Sequence, residues 1–311
     1  MIVDIRTRII AGRDPFALVG PSQPKPSNTA AARPHDHDPT AEGHRRAMGS
    51  VVDVAAIVGW RADRLGLHVP AEQIAAWVND LPDRRIGFAG IDASADSAAD
   101  DILAALDLGC VGLSMSPADQ GVRPTDDRVL AALEAAAARR LPVIVGNPAL
   151  CTTASVLEFA RPALLDEAAR TIPNLTLILG DLAHGYLDDA LAMAAKHERV
   201  FVEISGVIAR PWSLATALLA AHERNLSGKL LFASGFPAET PERAIERLYT
   251  LGAFRGPSAG AMPGLPRESV RAIVERDTLA TLGIDAGALG RAAAPIATVA
   301  TRRLRALEPR A

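Results

Sequence analysis

The stretch RPALLDEAARTIPNLTLILGDLAHGYLDDALAMAAKHERVFVEIS (161–205) holds one pattern twice over. A strand-length apolar run, LTLILG from Leu175, lies between two helical patterns, and a second run, VFVEIS from Val200, closes the stretch. Both runs are nearly continuous in apolar residues, as strands covered on both faces should be. Parallel strands need a long crossover between them, and a helix supplies it. Working outward, similar runs recur as IVDIR from Ile2, VDVAAIVG from Val52, RIGFAGID from Arg85, VGLSMS from Val111, PVIVG from Pro142 and KLLFAS from Lys229. Further helical patterns are AEQIAAWVNDL from Ala71, DDRVLAALEAAAARR from Asp126, PWSLATALLAAHERN from Pro211 and PERAIERLYTLG from Pro241. Thr240, Pro241 and Glu242 have the chemistry of an N-cap followed by the first two helical positions. Eight strand–helix units predict an α/β fold closed into a (β/α)8 TIM-type barrel, a single domain over residues 1–311.

Composition agrees with a large core. The 311 residues are 49% hydrophobic and 22% charged, with a net charge of −3. That charge gives no electrostatic reason to expect nucleic acid or an anionic membrane as a partner. Aromatics are only 4%, so alanine-rich helices should pack closely on the sheet. Two cysteines, Cys110 and Cys151, make no disulfide framework, and no run has the apolar length of a membrane span. The first apolar run contains Asp4 and Arg6 and does not read as a signal peptide. A cytoplasmic location is expected.

One stretch breaks the pattern. Residues 21–43, PSQPKPSNTAAARPHDHDPTAEG, are rich in Pro, Ser and Ala and read as a flexible insert or lid after the first strand. His35 and His37 form an H-x-H within it, on a segment expected to be solvated. Residues 285–311 are expected to form a C-terminal helix.

The opening MIVDIRTRII places Arg6 and Arg8 two apart on a strand, hence on one face. A guanidinium has five donors and no acceptor, so it cannot ligate a metal. Two side by side require anionic partners.

IVDIRTRI at the start, RPALLDEAARTIPNLTLILG and HERVFVEISGVIARPW in the middle, and LLFASGFPAETPERAIERL near the end are together similar to the amidohydrolase-related family of metal-dependent hydrolases and decarboxylases. The resemblance runs from Met1 to about Ile284. It implies metal ligands at the ends of strands one, four, five, six and eight, and every one of those positions has changed. Arg6 and Arg8 stand where the family has His-x-His. Ser114 stands for the strand-four residue, Gly146 for a histidine, Asp181 for a histidine, and Gly235 for the catalytic aspartate. Only Asp181 could supply a strong ligand, so no metal and no other cofactor are expected.

Two arginines against Asp181 leave about one positive charge uncompensated. A second acid, Asp4 or Glu203, or a bound anion would balance it. Arg6, Arg8, Arg61 and Asn147 are the candidate ligand-binding residues, and Asp181, His184 and Glu203 the candidate acid–base groups. The first functional reading is a non-catalytic barrel that binds a small carboxylate or phosphate, or pairs as a homodimer or with an active paralogue. The second is a metal-independent lyase or hydrolase of a small carboxylate. A metal-dependent hydrolase ranks last.

Overall fold

The structure, a computed structural model, describes residues 1–10, 37–49, 51–81, 84–146, 154–183, 185–251 and 265–285. Eight strands form one parallel sheet in sequence order: β1 (Val3–Thr7), β2 (Val54–Val58), β3 (Arg85–Gly90), β4 (Gly112–Met115), β5 (Val143–Val145), β6 (Leu177–Leu179), β7 (Val200–Glu203) and β8 (Leu230–Leu231). Backbone bonds bring the last strand to the first: Ile5 N donates to Phe232 O at 3.1 Å and Arg8 N to Phe236 O at 2.9 Å. The (β/α)8 barrel expected from the strand–helix alternation is therefore the observed architecture.

Period two sorts the strand side chains into two layers. Val3, Ile5, Ala56, Phe88, Ile144, Ile178 and Leu231 fill the barrel. Ile57, Leu113, Val143, Leu177 and Val202 face the surrounding helices. The helices supply the complementary stripe. The helix Asp127–Ala138 buries Val129, Ala132, Leu133, Ala136 and Ala137, a helical repeat made mostly of alanine. Small side chains let it lie close against the strands, as the composition suggested. Thr240 caps the helix Pro241–Thr250 by accepting from Arg243 N.

Besides one-turn segments, two helices among the described residues were not read from the sequence. Ala98–Asp107 follows β3, and Ala41–Met48 begins inside the stretch read as insert. The second corrects the boundary at residue 43: Thr40 is its N-cap, accepting from Gly43 N at 3.1 Å. Residues 11–36 and 286–311 lie outside the described residues, and with them most of the expected insert and the expected C-terminal helix. Among the described residues no helix is long and apolar enough to cross a membrane.

A buried clasp fixes the helix Ala41–Met48 to the barrel. The Thr7 hydroxyl donates to Ala56 O at 2.7 Å, and His44 Nε2 lies 2.9 Å from the Thr7 hydroxyl oxygen. The hydroxyl proton is already committed, so Nε2 must donate, and Nδ1 accepts from Arg85 Nη2 at 3.3 Å. The ring is thus held neutral. Burial first, and then the Arg85 charge, push its pKa from 6.5 down to about 3. An unfolded chain takes up a proton near pH 6.5 that the folded ring refuses, so stability falls as pH drops from about 6.5 toward 3. His44→Gln should flatten this acid slope, read as urea midpoints at several pH values in that window. An unchanged slope would exclude His44 as its source.

Candidate functional site

Arg6 is the centre of the barrel mouth, 2% exposed although charged. The strand carrying it is irregular, with its pairing to β2 shifting register between Asp4 and Thr7. Its Nη1 donates to Glu203 Oε1 at 2.6 Å, and its Nη2 lies 3.1 Å from Asp181 Oδ2. Glu203 is also fully buried, on β7 and on the same face as the interior residue Phe201. Its carboxylate further accepts from Ser205 N at 2.7 Å and from Asp181 N. Asp181 Oδ1 accepts from Ser205 Oγ at 3.2 Å.

Asp181 and Leu182, directly after β6, both adopt left-handed backbone, with φ of 57° and 48°. Non-glycine residues rarely do so, at a cost on the order of 1–3 kcal/mol each. The turn aims the Asp181 side chain back at Arg6, and the contacts of Glu203 and Ser205 hold it there. Burial pushes the Asp181 carboxyl up, while Arg6, and more weakly Arg8, pull it down. Burial would lower the Arg6 pKa, but Asp181 and Glu203 together raise it. The second acid needed by the charge count is therefore Glu203.

Asp4 is buried too, but it meets only the backbone of Arg6. Its Oδ1 accepts from Arg6 N at 3.3 Å and from Ser234 N at 3.0 Å, and Oδ2 has no hydrogen-bond partner among the described residues. Burial pushes its pKa from 3.8 up to about 7, against the hydrogen bonds from Ser234 and Arg6. The folded protein holds this proton where the unfolded chain has lost it, so the group costs stability as pH rises from about 4 to 7. Asp4→Asn should lose less stability than the natural protein between pH 5 and pH 8, measured by thermal unfolding. Equal losses would refute the assignment.

The two arginines do not make a parallel pair. Arg8 lies just past the end of β1, half-buried, with its guanidinium carbon 5.5 Å from the centre of the Trp60 ring. Its charge acts on two acids, Asp181 and Asp119. Asp119 was not singled out from the sequence. It lies in the one-turn helix Pro117–Gln120 after β4, is 1% exposed, and accepts from Ser116 Oγ at 2.8 Å and from Ser155 Oγ. Burial raises its pKa, and the two serines, Arg64 and Arg8 oppose that. An aspartate in the first turn after Ser-Pro reads as ordinary helix-start chemistry, which hid it.

The remaining expected site residues scatter. Arg61 is turned away onto Asp63 and Asp101, at 2.9 and 2.6 Å, in a short hairpin after β2. These ion pairs raise its pKa further. The Ser114 hydroxyl is spent on Gly59 O at 2.6 Å. Gly235 N donates to Arg6 O at 3.1 Å. Gly146 lies beside Gly180, where a Cβ would stand 2.6 Å from both Gly146 O and Arg6 Nη1. His37 Nε2 is 3.8 Å from Glu239 Oε1, beyond hydrogen-bond reach. Cys110 is a core thiol, pushed up to about 12 chiefly by burial. Asn147, Cys151, His184 and His35 lie outside the described residues.

The positions that should bind metal do not fit one. Guanidinium offers no lone pair, glycine has no side chain, and the Asp181 carboxylate already faces Arg6 and Ser205. Among the described residues no three His, Cys, Asp or Glu side chains gather in a way that could hold a metal ion.

A parallel barrel with its polar cluster at the C-terminal ends of the strands defines the class of protein: a TIM-barrel scaffold with its site in the usual place. A family model described as amidohydrolase matches residues 3–276, and the chain belongs to that family. Among solved structures it is similar to an uncharacterised TIM-barrel protein of Bordetella bronchiseptica (17% identity, 91% of this chain and 99% of that one, TM-score 0.70). It is also similar to an amidohydrolase of Burkholderia multivorans with bound HEPES (11%, 92% and 100%, TM-score 0.64). A third is a probable 2-pyrone-4,6-dicarboxylic acid hydrolase of Acinetobacter baumannii with citric acid bound (12%, 91% and 99%, TM-score 0.60). At these identities the likeness shows the fold. No curated protein matches the chain.

Proposed function

We propose that this member of the amidohydrolase family binds a small carboxylate at its mouth without metal-dependent turnover. The observation that carries the reading is Arg6. It stands at the first position of the family's metal clasp, and both neighbouring carboxylates, Asp181 and Glu203, are engaged with it. Its charge is met inside the protein, and we assign the anion contact to Arg8, whose charge also acts on Asp181 and Asp119. Stacking over Trp60 restricts the Arg8 guanidinium while leaving it half-buried at the rim. A fork of donors held in this way suits a carboxylate. Phosphate belongs to the same chemistry, and the Arg61 guanidinium is committed to Asp63 and Asp101.

The test combines metal analysis with thermal shift. Purified protein should carry far less than one metal per chain, and chelation should leave the melting temperature unchanged. Malonate, benzoate or phosphate should raise the melting temperature of the natural protein and have little effect on Arg8→Ala. Stoichiometric zinc or manganese, or an anion response that survives Arg8→Ala, would overturn the reading.

One observation favours a metal-independent lyase instead. Asp119 is a buried acid with a raised pKa in the field of Arg8, and such groups recur where protons are moved. Under that reading Asp119 takes the acid–base role considered for Asp181 and Glu203, because those two are paired with Arg6. Carbon dioxide release from a panel of small carboxylates, abolished in Asp119→Asn while binding persists, would establish it.

A further inference from the structure

The helix Ala98–Asp107 has a slight hold on the barrel, since Ile102 and Ala105 are its buried residues. Its outer side is not simply polar. Leu103 and Leu106 are 43% and 40% exposed, and at helical spacing they share one stripe with the exposed Ala99. Asp100 and Asp107, seven apart and both exposed, flank that stripe along one edge. A surface of this kind fits an amphipathic helix that carries leucines beside arginines. The sequence supplies the pattern in residues 296–307, IATVATRRLRAL, between Pro295 and Pro309. Ile296, Val299, Ala300, Leu304 and Leu307 fall on one side at helical spacing. Arg302, Arg303 and Arg305 make the segment basic, with no acid within it to offset them.

We propose that residues 296–307 dock on the helix Ala98–Asp107 of the same chain, with their leucines against Leu103 and Leu106 and their arginines toward Asp100 and Asp107. Position allows it. The helix runs back from the end of β3 toward the start of β4, so Leu106 and Asp107 lie at the end of the barrel where the strands begin. The chain reaches Asp285 at that same end. Arg276 Nη2 donates to Ser227 O at 3.1 Å, just before β8, and Leu279, Leu282 and Ile284 pack with Val3 in the interior cluster. Residues 286–294 can span about 30 Å when extended, nearly three helix diameters, which is ample to round the helix layer. Charge sets the occupant, because an acidic edge beside leucines favours a basic segment over a second acidic face. The docking surface is remote from Arg6 and Arg8, so it and the carboxylate-binding reading can fail separately.

Hydrogen exchange of the full chain, read by mass spectrometry, reports on the segment directly. Amides of residues 299–307 should exchange about tenfold or more slowly than those of an unstructured chain. Leu103→Glu with Leu106→Glu should remove most of that protection. Both side chains are exposed, so the amides of β1 to β8 should keep theirs. Charge exchange provides a second variant set that leaves the leucines in place. Asp100→Arg with Asp107→Arg should lower the protection, and adding Arg302→Glu and Arg303→Glu should restore it. Exchange of residues 299–307 at the unstructured rate would overturn the proposal. So would protection that survives the leucine variant, or a charge exchange that restores nothing. Protection lost on dilution, together with a dimer in sedimentation, would overturn it in favour of a second copy as the occupant.

Discussion

Replacing Arg6 with alanine should destabilise the protein by about 3–5 kcal/mol, enough to unfold many domains of ordinary stability. The cost arises from what is left behind. Asp181 and Glu203 are 6% and 0% exposed, and without the guanidinium their charges face each other in the barrel with only the weaker pull of Arg8 on Asp181 to oppose them. The intact triad is worth far less than this loss suggests, because taking three charges out of water offsets most of their attraction. The asymmetry supplies the control. Arg6→Met combined with Asp181→Asn and Glu203→Gln removes the charges together and should recover much of the stability. Urea unfolding of the single and triple variants decides between the two states of affairs. A single variant within about 1 kcal/mol of the natural protein, the usual worth of an exposed pair, would mean that the triad is not buried in solution.

Gly180→Ala should cost about 3 kcal/mol or more by a different route. The added methyl would sit 2.6 Å from Arg6 Nη1 and from Gly146 O. A flexible side-chain tip can give way, but a carbonyl within the barrel wall cannot without shifting β5 or β6. Either response disturbs the alignment of Arg6 with Asp181, so overpacking and a weakened ion pair add. Gly228→Ala is the control. A Cβ there meets nothing within 4 Å, and its effect should stay within about 0.5 kcal/mol. Equal thermal stabilities of the two variants would show that the close approach at Gly180 is not maintained.

Much of the site was legible because strand-end positions are fixed by the barrel itself. Arg6, Asp181 and Glu203 lie at the ends of β1, β6 and β7, and parallel closure brings such ends to one rim. The choice of partner was not legible. Sequence spacing put Arg6 and Arg8 on one face, but β1 ends at Thr7 and its register shifts on the way. One guanidinium therefore enters the barrel while the other lies over Trp60. Asp119 escaped notice because its role depends on Ser155, 36 positions away along the chain. The helix Ala98–Asp107 escaped because it begins without a side-chain cap and follows a run of small and acidic residues. Only Ile102 and Ala105 of it are buried.

By itself the sequence determined the barrel and the residue types at its strand ends: guanidinium, serine, glycine and a single carboxylate. Periodicity and donor type are local properties, and each can be read residue by residue. Only the tertiary structure decided where the Arg6 charge goes. The balance between Asp181, Glu203 and Asp4 depends on burial and on distances of about 3 Å between strands far apart in the chain. A register shift of one residue was enough to send Arg6 and Arg8 to different partners.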